Sequence, residues 1–116
     1  MELKTETLTG PTGEVVVVTL LGERLDLSTA NRFKKQFEPL IARYDWLVLD
    51  LSQVQMIDSS GFGAILGGLR QLSDRGGDIK LCQVQKRVRI LLEMVRIHKI
   101  IGIYNTAEEA IASFGA

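Results

Sequence analysis

The residues best placed to do chemistry stand together near the middle of the chain, at Ile57-Asp58-Ser59-Ser60-Gly61-Phe62-Gly63. Upstream, Trp46 to Leu51 is an apolar run broken only by Asp50, a pattern that predicts a strand. Downstream, Phe62, Ile65, Leu66, Leu69 and Leu72 recur at the spacing of one helix face. Asp58, Ser59 and Ser60 therefore fall on a strand-to-helix turn. In parallel α/β sheets such turns lie at the carboxyl ends of strands, where the helix-start amides are unpaired and the dipole favours an anion. Two hydroxyls there can cap the helix, worth about 1 kcal/mol, or one of them can carry a phosphate. The residues alone leave both readings open and do not choose between Ser59 and Ser60.

Enzymatic readings of the same stretch fail on spacing. A hydrolase elbow needs Gly-x-Ser-x-Gly, but Ile57 or Asp58 stands where its first glycine belongs. A triad would also need His98, the sole histidine, as its base. His98 lies in a basic stretch between Arg96 and Lys99, which predicts a solvated or locally capping side chain. Gly61-x-Gly63 lacks the third glycine of a dinucleotide loop, since that position is Leu66, and no Gly-x-x-x-x-Gly-Lys-Ser/Thr run exists. One His and one Cys are too few for a Cys/His zinc site, and Cys82, in an alternating strand, reads as a small core residue. No catalytic residue, metal or cofactor is expected. Lys86, Arg87 and Arg89 read as the exposed side of a helix, solvated or in contact with an acidic partner. Gly67 and Gly68, each costing about 1 kcal/mol inside a helix, mark a close contact within the molecule or with a partner.

The elements that must position the turn follow from periodicity. Residues 2 to 8 are polar and Thr-rich, suiting an edge strand, and Gly10-Pro11-Thr12-Gly13 is a turn. Val15 to Leu21 is a continuous β-branched run, expected to pair antiparallel with the first strand. Ala30, Phe33, Phe37, Leu40 and Ile41 form a helical stripe ending near Arg43, with Ser28 as the expected N-cap. After the central helix, Arg75-Gly76-Gly77 is a stop and Asp78 to Cys82 a half-buried strand. Val88, Leu91, Leu92 and Val95 mark a third helix, Lys99 to Tyr104 a short last strand, and Thr106-Ala107-Glu108-Glu109 a capping box for a final helix with Ala110, Ile111 and Phe114 on its buried side. The expectation is an α/β fold: one domain over 1–116, a mixed sheet with an N-terminal antiparallel hairpin, then parallel β-α-β units, and about four helices.

Composition narrows the partners. The 14 Lys plus Arg equal the 14 Asp plus Glu, so no bulk field recruits nucleic acid or a membrane surface. Val15 to Leu21, the longest apolar stretch, is far short of the roughly 20 residues that span a bilayer. With Glu2, Lys4 and Glu6, the N-terminus lacks a signal-peptide layout, and the expectation is a cytoplasmic protein.

Taken together, Leu47-Val48-Leu49-Asp50-Leu51, Ile57 through Leu66, Gly76-Gly77, Leu81-Cys82, Val88, Leu91 and Lys99-Ile100-Ile101 resemble the anti-sigma-factor antagonists, the bacterial STAS-domain proteins. Asp58-Ser59-Ser60-Gly61 carries the most specific part of the likeness. The resemblance implies a phosphorylation-switched regulator. An anti-sigma factor that is itself a serine kinase, carrying ATP or ADP, modifies the first Ser after the Asp, and a serine phosphatase restores it. The dephosphorylated form binds the kinase and releases the sigma factor. Carried onto this chain, the phosphoacceptor is Ser59, and Asp58, Ser60, Gly61, Phe62 and Gly63 adjoin it at the partner surface. The family's acidic residue after the second strand matches Asp26, in a Gly22-Glu23-Arg24-Leu25-Asp26 segment one residue longer than the family's, with Leu27 and Ser28 beside the phosphorylation turn. The alternative within the family is a STAS module that assembles with a transporter or scaffold and is never phosphorylated.

Overall fold

The structure, a computed structural model, describes residues 1–115. A first strand, β1 (Glu2–Gly10), turns through Pro11-Thr12 into β2 (Gly13–Leu21). The pair is antiparallel, from Glu2↔Leu21 to Gly10↔Gly13. Beyond β2 the sheet is parallel. It adds β4 (Trp46–Asp50), β6 (Asp78–Cys82) and β7 (Ile103–Tyr104) in the order β1-β2-β4-β6-β7. Helices α1 (Ala30–Arg43), α2 (Ser59–Ser73) and α3 (Lys86–Met94) are the crossovers, and α4 (Ala107–Ala112) follows the last strand. The expected mixed α/β fold with four helices is thus observed.

The unbroken valine run of β2 is explained by burial on both faces. Val16 and Val18 lie in register with Leu47 and Leu49 of β4, and these with Ile79 and Leu81 of β6, under Phe33 and Phe37 of α1, Ile65 and Leu69 of α2, and Val88 and Leu92 of α3. Val15, Val17, Val48 and Cys82 face the other way, beneath Ala110 of α4 and Phe114. Burial of each such aliphatic or aromatic side chain contributes about 1.5–3 kcal/mol. Phe33 and Phe37 stack at 4.8 Å between ring centroids.

Four features differ from the sequence expectation. Two short strands, β3 (Arg24–Leu25) and β5 (Met56–Ile57), form a separate parallel pair, Arg24↔Met56 and Leu25↔Ile57. The last strand is confined to Ile103–Tyr104: a 3₁₀ turn over Ile97–Lys99, which leaves His98 on the surface, runs on into a turn and bend at Ile100 and Ile101. Helix α3 stops at Met94, which leaves Val95 outside the buried stripe and 53% exposed. The N-cap of α1 is Thr29, not Ser28. The Ser28 hydroxyl turns back to donate to Asp26 Oδ1, and the Asp26 carbonyl accepts from the amides of Thr29 and Ala30 instead. In the capping box before α4, the Thr106 hydroxyl accepts from the Glu109 amide at 3.1 Å.

The paired glycines of α2 serve different ends. A methyl group on Gly68 would strike the Phe37 ring and Ile41 of α1, so Gly68 lets the two helices approach. Gly67 and Gly63 have open space where a Cβ would stand, along a groove of about 260 Å³ between α1 and α2. Gly67→Ala is therefore expected to stabilise the protein by about 1 kcal/mol through helix propensity. Gly68→Ala is expected to destabilise it, because overpacking costs typically about 1–3 kcal/mol. Urea unfolding of the two variants checks the opposite signs.

Candidate functional site

Asp58 is the residue on which the site is assembled. It leaves β5 in an extended conformation (φ −122°, ψ −172°) and places its carboxylate under the first turn of α2. Its Oδ1 accepts from the amides of Ser60 at 2.9 Å and Gly61 at 3.1 Å, and its carbonyl accepts from the amide of Phe62. The helix is capped by this carboxylate, which corrects the reading of Ser59 or Ser60 as the cap. An aspartate one residue before the helix reaches the same amides a serine hydroxyl would and carries the charge the dipole favours. Both serines lie inside α2, as its first two residues, and neither hydroxyl bonds another described residue. Ser59 is exposed and Ser60 half-buried.

The other carboxylate oxygen of Asp58 reaches across to the loop between β3 and α1. Oδ2 accepts from the Leu27 amide at 3.0 Å. Below that contact, the Glu23 carbonyl accepts from the amides of Gln55 and Met56, and the Leu25 carbonyl accepts from the Asp58 amide. Gly61 has no room for a side chain, since a Cβ there would collide with the Leu25 carbonyl oxygen and the Ile57 side chain. Two segments separated by about thirty residues of sequence are thus locked side by side.

Asp26 organises its own loop. Its Oδ1 accepts from the Ser28 amide at 3.0 Å and the Ser28 hydroxyl at 2.6 Å, and its Oδ2 accepts from Arg24 Nε at 3.1 Å. The Ser28 hydroxyl and then the Arg24 guanidinium hold the Asp26 carboxyl below its ordinary value of 3.8. Its side chain is withdrawn from solvent while the next residue, Leu27, is 77% exposed. The loop therefore presents an apolar side chain held at its base by Asp26 and at its amide by Asp58. Of the residues expected at this surface, Leu27, Ser28, Ser59 and Gly63 are exposed, Asp58, Ser60 and Phe62 are half-buried, and Asp26 and Gly61 are buried. Met56, 36% exposed on β5, joins the rim without having been anticipated. Its only signal was its place two residues before Asp58.

No group of three or more His, Cys, Asp or Glu side chains able to hold a metal occurs among the described residues. Cys82 is buried beneath α4, and its thiol is pushed up to about 12, first by burial and then by Asp50 and Glu108. It stays protonated near neutral pH and is not a nucleophile there. No helix among the described residues is long and apolar enough to cross a membrane.

Comparison with known proteins gives this geometry its family. The model of the STAS domain matches residues 8–110. The anti-sigma F factor antagonist of Paenibacillus polymyxa is 36% identical over 99 residues, which is 84% of this chain and 84% of that protein. The chain belongs to the anti-sigma-factor antagonist family of STAS domains. Solved structures repeat the fold at lower identity. A STAS domain protein of Planctomyces limnophilus superposes with a TM-score of 0.82 at 18% identity, covering 94% of this chain and 93% of that one. The phosphorylated form of the Bacillus cell fate determinant SpoIIAA superposes with a TM-score of 0.68 at 23% identity, covering 95% and 96%.

Two outcomes are expected for this STAS domain. Asp58→Ala removes the cap, at a cost of about 0.5–2 kcal/mol, and frees the Leu27 amide. Urea unfolding and hydrogen exchange at Leu27 measure the two effects. Asp26 has a depressed folded-state pKa, so its contribution to stability is present at neutral pH and is lost as pH falls below 3.8 through the folded value. Asp26→Asn is expected to flatten that part of the acid-unfolding curve.

Proposed function

We propose that this STAS domain, over the whole chain 1–116, is a non-catalytic anti-sigma-factor antagonist whose docking surface is the turn at Ser59 and the Leu27 loop. An anti-sigma factor with serine-kinase activity, holding ATP or ADP on its own side, binds the unmodified form, phosphorylates Ser59 and releases it. A serine phosphatase returns the hydroxyl. The observation that carries this reading is the exposed Ser59 hydroxyl, without a hydrogen bond to any other described residue and one residue from a carboxylate whose two oxygens are already committed.

Electrostatics explain how one phosphate acts as a switch. The group adds about −1.5 to −2 charges at pH 7. The helix dipole offsets part of this, by about 0.3–2 kcal/mol, but the Ser60 and Gly61 amides are already taken by Asp58. The phosphate therefore stays in water beside a like charge, and the free domain tolerates it. Against a docked partner the same charge loses its water, and an unpaired buried charge costs about 3–5 kcal/mol. At about 1.4 kcal/mol per tenfold, that is a loss of two orders of magnitude or more in affinity.

Incubation with a cognate anti-sigma kinase and ATP, followed by mass spectrometry, is expected to place phosphate on Ser59. Ser59→Ala should bind the kinase as the unmodified protein does, and Ser59→Asp at least about tenfold more weakly. Leu27→Ala should weaken binding without lowering the melting temperature, since Leu27 is an exposed contact and not part of the core. Phosphate confined to Ser60, or full binding by Ser59→Asp, overturns the proposal.

A further inference from the structure

A second surface lies on α3 and the turn that follows it. Of the nine large apolar side chains exposed among the described residues, five fall between positions 90 and 100: Ile90, Leu91, Met94, Val95 and Ile100. Met94 is 74% exposed and Ile100 60%. Single exposed apolar side chains are ordinary, but five within eleven residues of one helix and its following turn, with only Leu92 and Ile97 buried among the large apolar ones, point to an interaction surface. The charge around it is segregated as well. Lys86, Arg87, Arg89, Arg96 and Lys99 stand in this segment against Glu93 alone, in a chain of zero formal net charge. Glu93 is already engaged by Arg89 at 3.4 Å. Arg96 adopts the left-handed conformation (φ 62°, ψ 26°), where glycine is unstrained and a long side chain is not. The chain holds an exposed guanidinium there against its backbone preference.

We infer that this face docks an acidic amphipathic helix from a protein partner, at a site separate from the Ser59 turn. The five apolar side chains supply the buried centre and the cations the rim, so the complementary surface is apolar with an acidic border. A second copy of this chain is a poor occupant, because a two-fold contact sets the basic rim against itself. Glu93 beside Met94 interrupts the cationic field, which suits pairing with individual partner residues better than a uniformly anionic lipid surface. The start of α3 packs against β5, beside the Ser59 turn, and the exposed apolar residues lie on its later part and on the turn that follows. That start is tied to the carboxyl edge of the sheet, where Gln85 donates to the Ser52 carbonyl, and as a crossover helix α3 runs back toward the opposite edge. Its nine residues cover about 13 Å at 1.5 Å per residue. Phosphorylation of Ser59 therefore leaves the second site intact, and the inference stands whether or not Ser59 is modified.

The test is a nuclear magnetic resonance titration of the labelled full chain. The probe is a helical peptide with leucines at i, i+3, i+4 and i+7 and glutamates on its flanks. Amide shifts are expected at residues 88–101. Affinity should fall at least about tenfold in Met94→Glu and in a peptide whose glutamates are replaced by lysines, and weaken from about 0.05 to about 0.5 M salt. Arg96→Gly, which keeps or improves the backbone, should weaken binding without loss of stability, and Ser59→Asp should bind the peptide unchanged. Shifts absent at saturating peptide, or equal binding of the lysine peptide, overturn the inference. So does co-sedimentation with phosphatidylglycerol vesicles in place of peptide binding, or dimerisation that Met94→Glu abolishes.

Discussion

The site depends on the carboxylate of Asp58 acting in two directions. One oxygen closes the amino end of α2, and the other holds the Leu27 amide on the neighbouring loop. Each hydrogen bond of a carboxylate to a backbone amide is charge-assisted and stronger than a neutral one. Together they set the separation of an exposed leucine and an exposed serine, two groups that belong to different crossovers of the sheet. The pairing of β3 with β5 and the absence of a side chain at Gly61 bring the loop close enough for that carboxylate to reach.

This arrangement changes the electrostatic account of the helix start. A free amino end attracts a phosphate, whereas here the resident carboxylate occupies the Ser60 and Gly61 amides. A phosphate on Ser59 therefore meets negative charge and not an empty nest. On the proposed function, such a group would have little hold on the fold, and its effect would be concentrated where another surface must exclude water. The main core is remote from this exchange. The valines of β2 and the leucines of β4 lie beneath the helices.

Much of the framework was legible because its residues have strong periods. The valine run of β2, the stripe of α2 and the turn at Gly10 to Gly13 led to the observed elements, and Asp58-Ser59-Ser60-Gly61 was found at the expected junction. Features of two or three residues were not legible. Strands β3 and β5 are too short to show alternation, and the first residues of the run from Lys99 that reads as strand belong to the 3₁₀ turn and the turn and bend after it. Side-chain direction was equally hidden. Ser28 and Thr29 are both competent caps, yet neither hydroxyl caps α1: Ser28 donates to Asp26 Oδ1, and Thr29 accepts from the Asp26 amide and donates to the Arg24 carbonyl. At α2 the helix begins at Ser59, so Asp58, not either serine, stands at the capping position. Val95 fits the helical stripe by spacing, yet α3 ends before it and leaves it outside the core.

The central claim is that a phosphate on Ser59 acts at the docking surface while Asp58 keeps the surface assembled. Stoichiometrically phosphorylated protein, with its amide resonances mapped and its affinity for the anti-sigma kinase measured by calorimetry, tests it most directly. The account predicts shifts confined to residues 26–28 and 58–63, an unchanged melting temperature and a loss of affinity of about a hundredfold or more. Undiminished affinity, or shifts spreading through β2 and β4 with a fall in melting temperature, would contradict it.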